Sequence, residues 1–243
     1  MAHPAKKKVI IIGATSGIGR ELALMYLSRH HMVGITGRRT EALHAIKERY
    51  PENTHCQTMD VQSEKCIEAL DELIEAMQGV DRIICCAGIG HQNPSLDPLV
   101  EMNTVYTNVN GFTRVIIYAY NYFKTQGIPG HIVAFSSIAG IRPLRQAPAY
   151  SATKRYQAHY ISCLAQRANK EKRPIKFTTI LPGFIQTELL SREYPLTISL
   201  EKGAPLLFKA IEREKRTTIL PGRWRWLVFL WKLIPNALWE KVW

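Results

Sequence analysis

Short runs of apolar, β-branched residues alternate along this chain with longer stretches whose apolar positions recur every three or four residues. Residues 9–13, 32–37, 55–60, 81–87, 131–136 and 176–181 are of the first kind. They predict buried strands, because a strand covered on both faces reads as a continuous apolar run. Residues 18–28, 41–49 and 63–77 are of the second kind and predict amphipathic helices. Strands alternating with helices of that length call for right-handed crossovers and a parallel sheet. No internal repeat, low-complexity tract or linker interrupts the pattern. The expected architecture is α/β: one doubly wound parallel sheet of about seven strands with helices on both faces. Residues 1–222 would form that domain and residues 223–243 a tail. Ligands of such sheets sit beyond the carboxyl ends of the strands.

Composition narrows the class. Hydrophobic residues make up 46% and charged residues 21%, so disorder is excluded. The basic start, with Lys6, Lys7 and Lys8, is followed by too short an apolar run for a signal peptide, and no stretch reaches the roughly 18 apolar residues of a spanning helix. The expectation is a cytoplasmic protein, with peripheral contact at the cytoplasmic membrane face as an extension. The net charge of +12 raises nucleic acid as a partner, but the cations are scattered apart from Lys6 to Lys8 and a basic stretch over residues 213–225. No nucleic acid is expected. Cys56, Cys66, Cys85, Cys86 and Cys163 form no CxxC pair and have no histidine at ligand spacing, so they read as free thiols without a metal.

The chemistry begins after the first strand, with Gly13-Ala14-Thr15-Ser16-Gly17-Ile18-Gly19 leading into a helix. Gly13 permits a tight turn, Gly17 lets backbone approach a pyrophosphate, and Gly19 lets the helix pack close to the sheet. Unpaired amides at the helix N-terminus then face the phosphates. The second strand ends at Arg38-Arg39 with no acid to grip ribose hydroxyls, which suits the 2′-phosphate of NADP(H). NAD(H) is the alternative cofactor. Tyr150 and Lys154 lie four residues apart, one helical turn. Protonating a developing alkoxide near neutrality needs a phenol beside a cation, because an unperturbed tyrosine has a pKa of about 10. Ser137, thirteen residues before Tyr150, can donate to the same substrate oxygen; its neighbour Ser136 reads as structural.

The GxxxGxG spacing, Ser137, and YxxxK in that order resemble the short-chain dehydrogenase/reductase family, over residues from about Val9 to Leu220. The resemblance implies a Rossmann-type sheet and a dimer or tetramer built on the helices carrying Asn108 and Tyr150. It implies that Asp60 and Val61 meet the adenine. Asn108, in a stretch similar to NxxG, would bend its helix and hold a water linking the lysine to solvent, with Asn110 as the alternate. Pro182, Gly183, Ile185 and Thr187, similar to PGxxxT, would embrace the nicotinamide carboxamide. The sequence departs from the family at Ile12, where Thr is usual, and at Cys85-Cys86-Ala87-Gly88, where Asn-Asn-Ala-Gly is usual. Ala87 and Gly88 remain as cofactor contacts.

All five tryptophans, Trp224, Trp226, Trp231, Trp239 and Trp243, fall in the last twenty residues. Residues 226–231 are nearly apolar all round, flanked by Arg223, Arg225, Lys232 and Lys241 and followed by Pro235. That pattern suits an interfacial helix on a membrane; the alternative is an element packed over the substrate pocket or a subunit partner. Residues 184–200 would form a lid. Ile89, Ile138, Ile141, Leu144, Phe184, Leu189 and Leu190 would line an apolar pocket, favouring a small lipid- or steroid-like ketone or secondary alcohol, such as a 3-ketosphinganine-like or 3-oxoacyl compound. Beside this enzyme stands a second reading, a cofactor-binding scaffold or regulatory protein without turnover.

Overall fold

The computed structural model describes residues 6–188, 194 and 196–242. Its sheet comprises β1 (Lys8–Ile12), β2 (Met32–Gly37), β3 (Thr54–Thr58), β4 (Arg82–Cys85), β5 (Gly130–Phe135), β6 (Ile175–Pro182) and β7 (Thr217–Leu220). All pair in parallel, in the order β3-β2-β1-β4-β5-β6-β7. The chain winds outward in both directions from β1 and β4, and the crevice between their carboxyl ends is where such a sheet accepts a ligand.

The run Val9-Ile10-Ile11-Ile12 shows why the strands read as unbroken apolar segments. Ile10 and Ile12 belong to a core formed with α3 (Cys66–Ala76), α5 (Phe112–Gln126) and α6 (Pro148–Lys170). Val9 and Ile11 belong to the opposite core, with α1 (Gly17–Leu27), α2 (Thr40–Arg49) and α7 (Leu200–Glu212). Successive side chains leave opposite faces of a strand, so a sheet covered twice needs apolar residues at every position.

Three expectations are corrected. β7 was not among the anticipated runs, because Thr217-Thr218-Ile219-Leu220 carries too few apolar residues to stand out; pairing with β6 makes it a strand. Strand β3 stops at Thr58 and β4 at Cys85, so Asp60, Ala87 and Gly88 lie in the loops beyond them. Asn108 does not begin a helix. It sits inside one that runs from α4 (Pro98–Val105) through a widened π turn (Tyr106–Gly111) into α5. Such a turn often marks a functional position.

Trp224, Leu227, Val228 and Trp231 join Ile138 in a third apolar cluster. α8 (Trp224–Leu233) and α9 (Asn236–Val242) are separated at Pro235, where the sequence breaks the stretch. Trp224 and Val228 are buried against Ile138, and Trp239 is buried with its indole nitrogen donating to the Pro143 carbonyl at 2.8 Å.

Candidate active site

The carboxyl ends of β1, β4, β5 and β6 deliver the site. Beyond β1, Gly13 turns the chain at φ +86°, and a Cβ there would lie 2.7 Å from the Ala87 backbone nitrogen. Only glycine fits both the conformation and the contact. Ser16 precedes α1 without capping it, and the first turn of α1 holds no acidic residue. Its amides and positive dipole end are therefore free for an anion, and the cradle fits a dinucleotide pyrophosphate. Thr187 closes over this turn: its methyl would stand 3.6 Å from a Cβ on Gly17. The exposed Arg39 donates to the Thr15 hydroxyl at 3.2 Å, which holds its guanidinium over the glycine turn. Arg39 also meets Glu188 at 3.5 Å, an exposed pair of small energetic weight.

Proline at the first position of α6 starts the helix that carries Tyr150 and Lys154. Ser136, at the end of β5, donates to the Lys154 carbonyl at 2.7 Å and pins α6 to the sheet. The Ser137 hydroxyl accepts from the Ala139 amide at 3.1 Å and stands close enough to the Tyr150 phenol to lower its proton affinity. The Tyr150 ring also lies flat against Gly90, where a Cβ would come within 2.5 Å of it. The Lys154 ammonium stands 5.7 Å from the centre of that ring. Burial pushes the Tyr150 phenol up from its ordinary value, and the Ser137 hydrogen bond pulls it back. Burial also pushes Lys154 down, to about 8, and among the described residues no carboxylate offsets the cost of its charge.

Asn108 is fully buried while Asn110 is exposed. The Asn108 side chain accepts from the Ile89 amide at 2.9 Å and donates to the Ile89 carbonyl at 2.7 Å and to Thr153 at 3.1 Å. It thereby ties the loop after β4 to the helix carrying Lys154. Gln157, which sequence reasoning did not single out, lies between them: Lys154 donates to its Oε1 at 3.0 Å, and its Nε2 donates to the Asn108 carbonyl at 2.9 Å. The available signal was its spacing, one further turn along the face that carries Tyr150 and Lys154.

Not every anticipated contact points into the crevice. Val61 packs against Gly111, and Asp60 accepts from the Gln62 amide at 2.9 Å, an ordinary turn contact. Ile185 turns its side chain into the core beside Ile198, leaving only backbone toward a cofactor. Ile138 is 2% exposed and packed against Trp224 and Val228 in a buried cluster. Phe184 stacks on Tyr194 at 4.3 Å and meets Trp224 edge-on at 5.3 Å. Gly183 permits the Trp224 indole to pack this closely, since a Cβ there would lie 2.3 Å from it. Leu144 is half-buried at the start of the segment leading to α6, and Ile18 packs partly on the core beneath α1. Leu189 and Leu190 lie outside the described residues. Cys85 and Cys86 enter opposite cores, and burial raises both thiols, Cys85 to about 12, so they stay neutral beside Lys154.

Residues 7–195 match the short chain dehydrogenase family. An uncharacterized oxidoreductase of Mycobacterium tuberculosis is 30% identical over 246 residues, covering 96% of each chain. Glucose 1-dehydrogenase of Gluconobacter oxydans is 31% identical, covering 76% of this chain and 71% of its own. Among solved structures, a short-chain dehydrogenase of Sphingobium yanoikuyae in complex with NADPH superposes with a TM-score of 0.79 at 21% identity, over 95% of this chain and 97% of its own. This chain belongs to the short chain dehydrogenase family and is an oxidoreductase of the short-chain dehydrogenase/reductase type.

Proposed function

We propose that this enzyme interconverts a ketone and a secondary alcohol with NADP(H), on an apolar, lipid- or steroid-like substrate. The observation that carries the reading is the joining of Tyr150, Ser137 and Lys154 at the carboxyl edge of β5. A nicotinamide dinucleotide held by the Gly13–Gly19 turn and the start of α1 would supply or accept the hydride at the substrate carbon. In reduction, Tyr150 gives its phenolic proton to the carbonyl oxygen while Ser137 donates a hydrogen bond to the same oxygen. The Lys154 ammonium stabilises the phenolate that remains until a solvent proton restores the phenol. In oxidation the same groups work in reverse, Tyr150 taking the hydroxyl proton. Asn108 holds the loop bearing Ile89 against α6, with Ala87 and Gly88 leading into it.

Arg38 and Arg39 support the phosphorylated cofactor, since two exposed guanidinia follow β2 and no acid stands there to bind ribose hydroxyls. Phe184, Trp224 and the covered Ile138 support an apolar substrate. The test is oxidation of NADPH, with NADH in parallel, against keto-lipids, steroids and small ketones, and reduction of NADP against glucose. Turnover on an apolar ketone that falls about 10²–10⁴-fold in Tyr150→Phe, with NADPH binding retained, is the expected result. NADPH binding without turnover on any substrate would favour the scaffold reading, and turnover on glucose alone would replace the apolar one.

The proposal extends to assembly and location. Apolar Leu99, Met102 and Ile117, exposed on α4 and α5, support a homo-dimer or tetramer through these helices. Helix α8 has two apolar faces. Trp224, Leu227, Val228 and Trp231 turn inward, whereas Trp226, Phe229, Leu230 and Leu233 are exposed. No helix among the described residues is long and apolar enough to cross a membrane. Exposed Arg223, Arg225, Lys232 and Lys241 flank the outer face, and that charge suits the anionic cytoplasmic face of a membrane. Co-sedimentation with phosphatidylglycerol-containing vesicles, lost on the double change Phe229→Ser and Leu230→Ser, is the expected outcome. Self-association abolished by the same change would instead assign the face to a second copy of the chain.

A further inference from the structure

Among the described residues, the ammonium of Lys154 is a buried cation with neutral partners only. The side chain donates to the Phe135 carbonyl at 2.9 Å and to Gln157 Oε1 at 3.0 Å. Around it stand Tyr150 on its own helix, the Cys85 and Cys86 thiols at the end of β4, Ser137 after β5, and Asn108 across the π turn. None of these carries a formal charge near neutrality. Gln157 is 1% exposed, and both ends of its carboxamide are committed. Its orientation is dictated chemically: the ammonium can only donate and the Asn108 carbonyl can only accept. Reversing the amide would set donor against donor and acceptor against acceptor.

We propose that Gln157 is a positioning residue, which clamps the Lys154 ammonium to the Asn108 turn and so fixes its place beneath Tyr150. This rests on the reading of Lys154 as the cation that tunes Tyr150. A neutral acceptor at this position is a compromise between two failures. A carboxylate would form an ion pair with the ammonium, raise its proton affinity and draw it from the phenol. An aliphatic side chain would leave the ammonium with one acceptor and the Asn108 carbonyl with one donor fewer, lowering the proton affinity of the lysine and loosening its placement.

The two failures have opposite signs, and that makes the test. The intact protein, carrying isotope-labelled lysine, is titrated by NMR as wild type, Gln157→Glu and Gln157→Leu, with Lys154→Met assigning the resonance. The clamp requires the Lys154 midpoint to rise by about one pH unit or more in Gln157→Glu and to fall by a similar amount in Gln157→Leu. The Lys154-dependent limb of the kcat profile moves with it, kcat drops about tenfold in both, and the KM for NADPH stays within about twofold. Midpoints that move the same way in both variants, or do not move, reduce Gln157 to a packing residue and overturn the proposal. Gln157→Glu is nearly isosteric, so the test stands even if Gln157→Leu folds poorly. The titration needs no substrate, so the clamp can fail while the oxidoreductase reading stands. A wild type that turns over nothing would remove that reading alone.

Discussion

Two buried cations, one at each end of the parallel sheet, are handled in opposite ways. At the amino end Arg82, 2% exposed, is surrounded by partners. It pairs with Glu212, donates to the Tyr26 hydroxyl at 2.7 Å and to His131 Nδ1 at 2.8 Å, and reaches Glu214 at 3.6 Å. Lys7 adds a second cation on Glu212 at 2.9 Å. These cations and the Tyr26 hydroxyl hold the Glu212 carboxyl down, to about 2, against the burial that raises it. At the carboxyl end Lys154, 6% exposed, has two neutral acceptors and no carboxylate among the described residues. The Arg82 guanidinium stays charged under all ordinary conditions, whereas the Lys154 ammonium is close to releasing its proton. A buried charge that is fully paired serves the fold; one left underpaired costs stability and gains reactivity.

The contrast is sharpest in what happens when each cation is replaced by methionine. Lys154→Met should lower turnover about 10²–10⁴-fold, because the phenolate of Tyr150 loses its counterion. Its stability in urea should stay level or rise by up to about 2 kcal/mol, since a poorly compensated buried charge has gone. Arg82→Met should do the reverse. It takes one of two cations from half-buried Glu212 and leaves His131 and Tyr26 without their donor, and should cost about 3 kcal/mol in the same denaturation, with kcat of the folded fraction unchanged. If both variants moved stability the same way, the two ends would not differ as their partners imply.

A smaller effect follows from pH. Burial, reinforced by Arg82, holds the His131 imidazole down to about 3, from an ordinary 6.5. The unfolded chain takes up that proton as pH falls below 6.5, and the folded chain does not until about 3, so stability declines through this interval. Glu212, held at about 2 against an ordinary 4.5, adds a second loss as pH falls from about 4.5 towards 2. Lys154 works at the other limb. Between about 8 and 10.5 the unfolded chain binds the proton that the folded chain has released, so stability gains with rising pH there. Urea midpoints measured across pH should show the acid loss weakened in His131→Asn and the alkaline gain abolished in Lys154→Met.

The two regions also differ in how far they could be read in advance. The carboxyl end is governed by local spacing: a glycine turn between a strand and a helix, and a tyrosine one turn before a lysine. Such features sit within a few residues of each other, so the chain displays them directly. The amino-end cluster draws Lys7, Tyr26, Arg82, His131 and Glu212 from five separate segments, and nothing in their order announces that they meet. Gln157 belongs to both kinds, since its distance from Lys154 is local but its second partner, the Asn108 carbonyl, lies across a helix interface.

Sequence alone therefore determined the strand–helix alternation of a parallel α/β sheet and the one-turn register of Tyr150 and Lys154, because each follows from the periodicity of a continuous segment; the strand order came from the pairing. Tertiary structure decided what periodicity leaves degenerate. Helix α8 carries large apolar side chains on both faces, with only Arg225 and Lys232 to break them, so its sequence could not say that Trp224 and Val228 would be buried while Trp226 and Leu230 would face outward. Asn108 and Asn110 were equivalent in composition, and the π turn buried one and exposed the other. Burial and hydrogen bonding between distant segments depend on how elements pack, and packing settles which face of each element is removed from water.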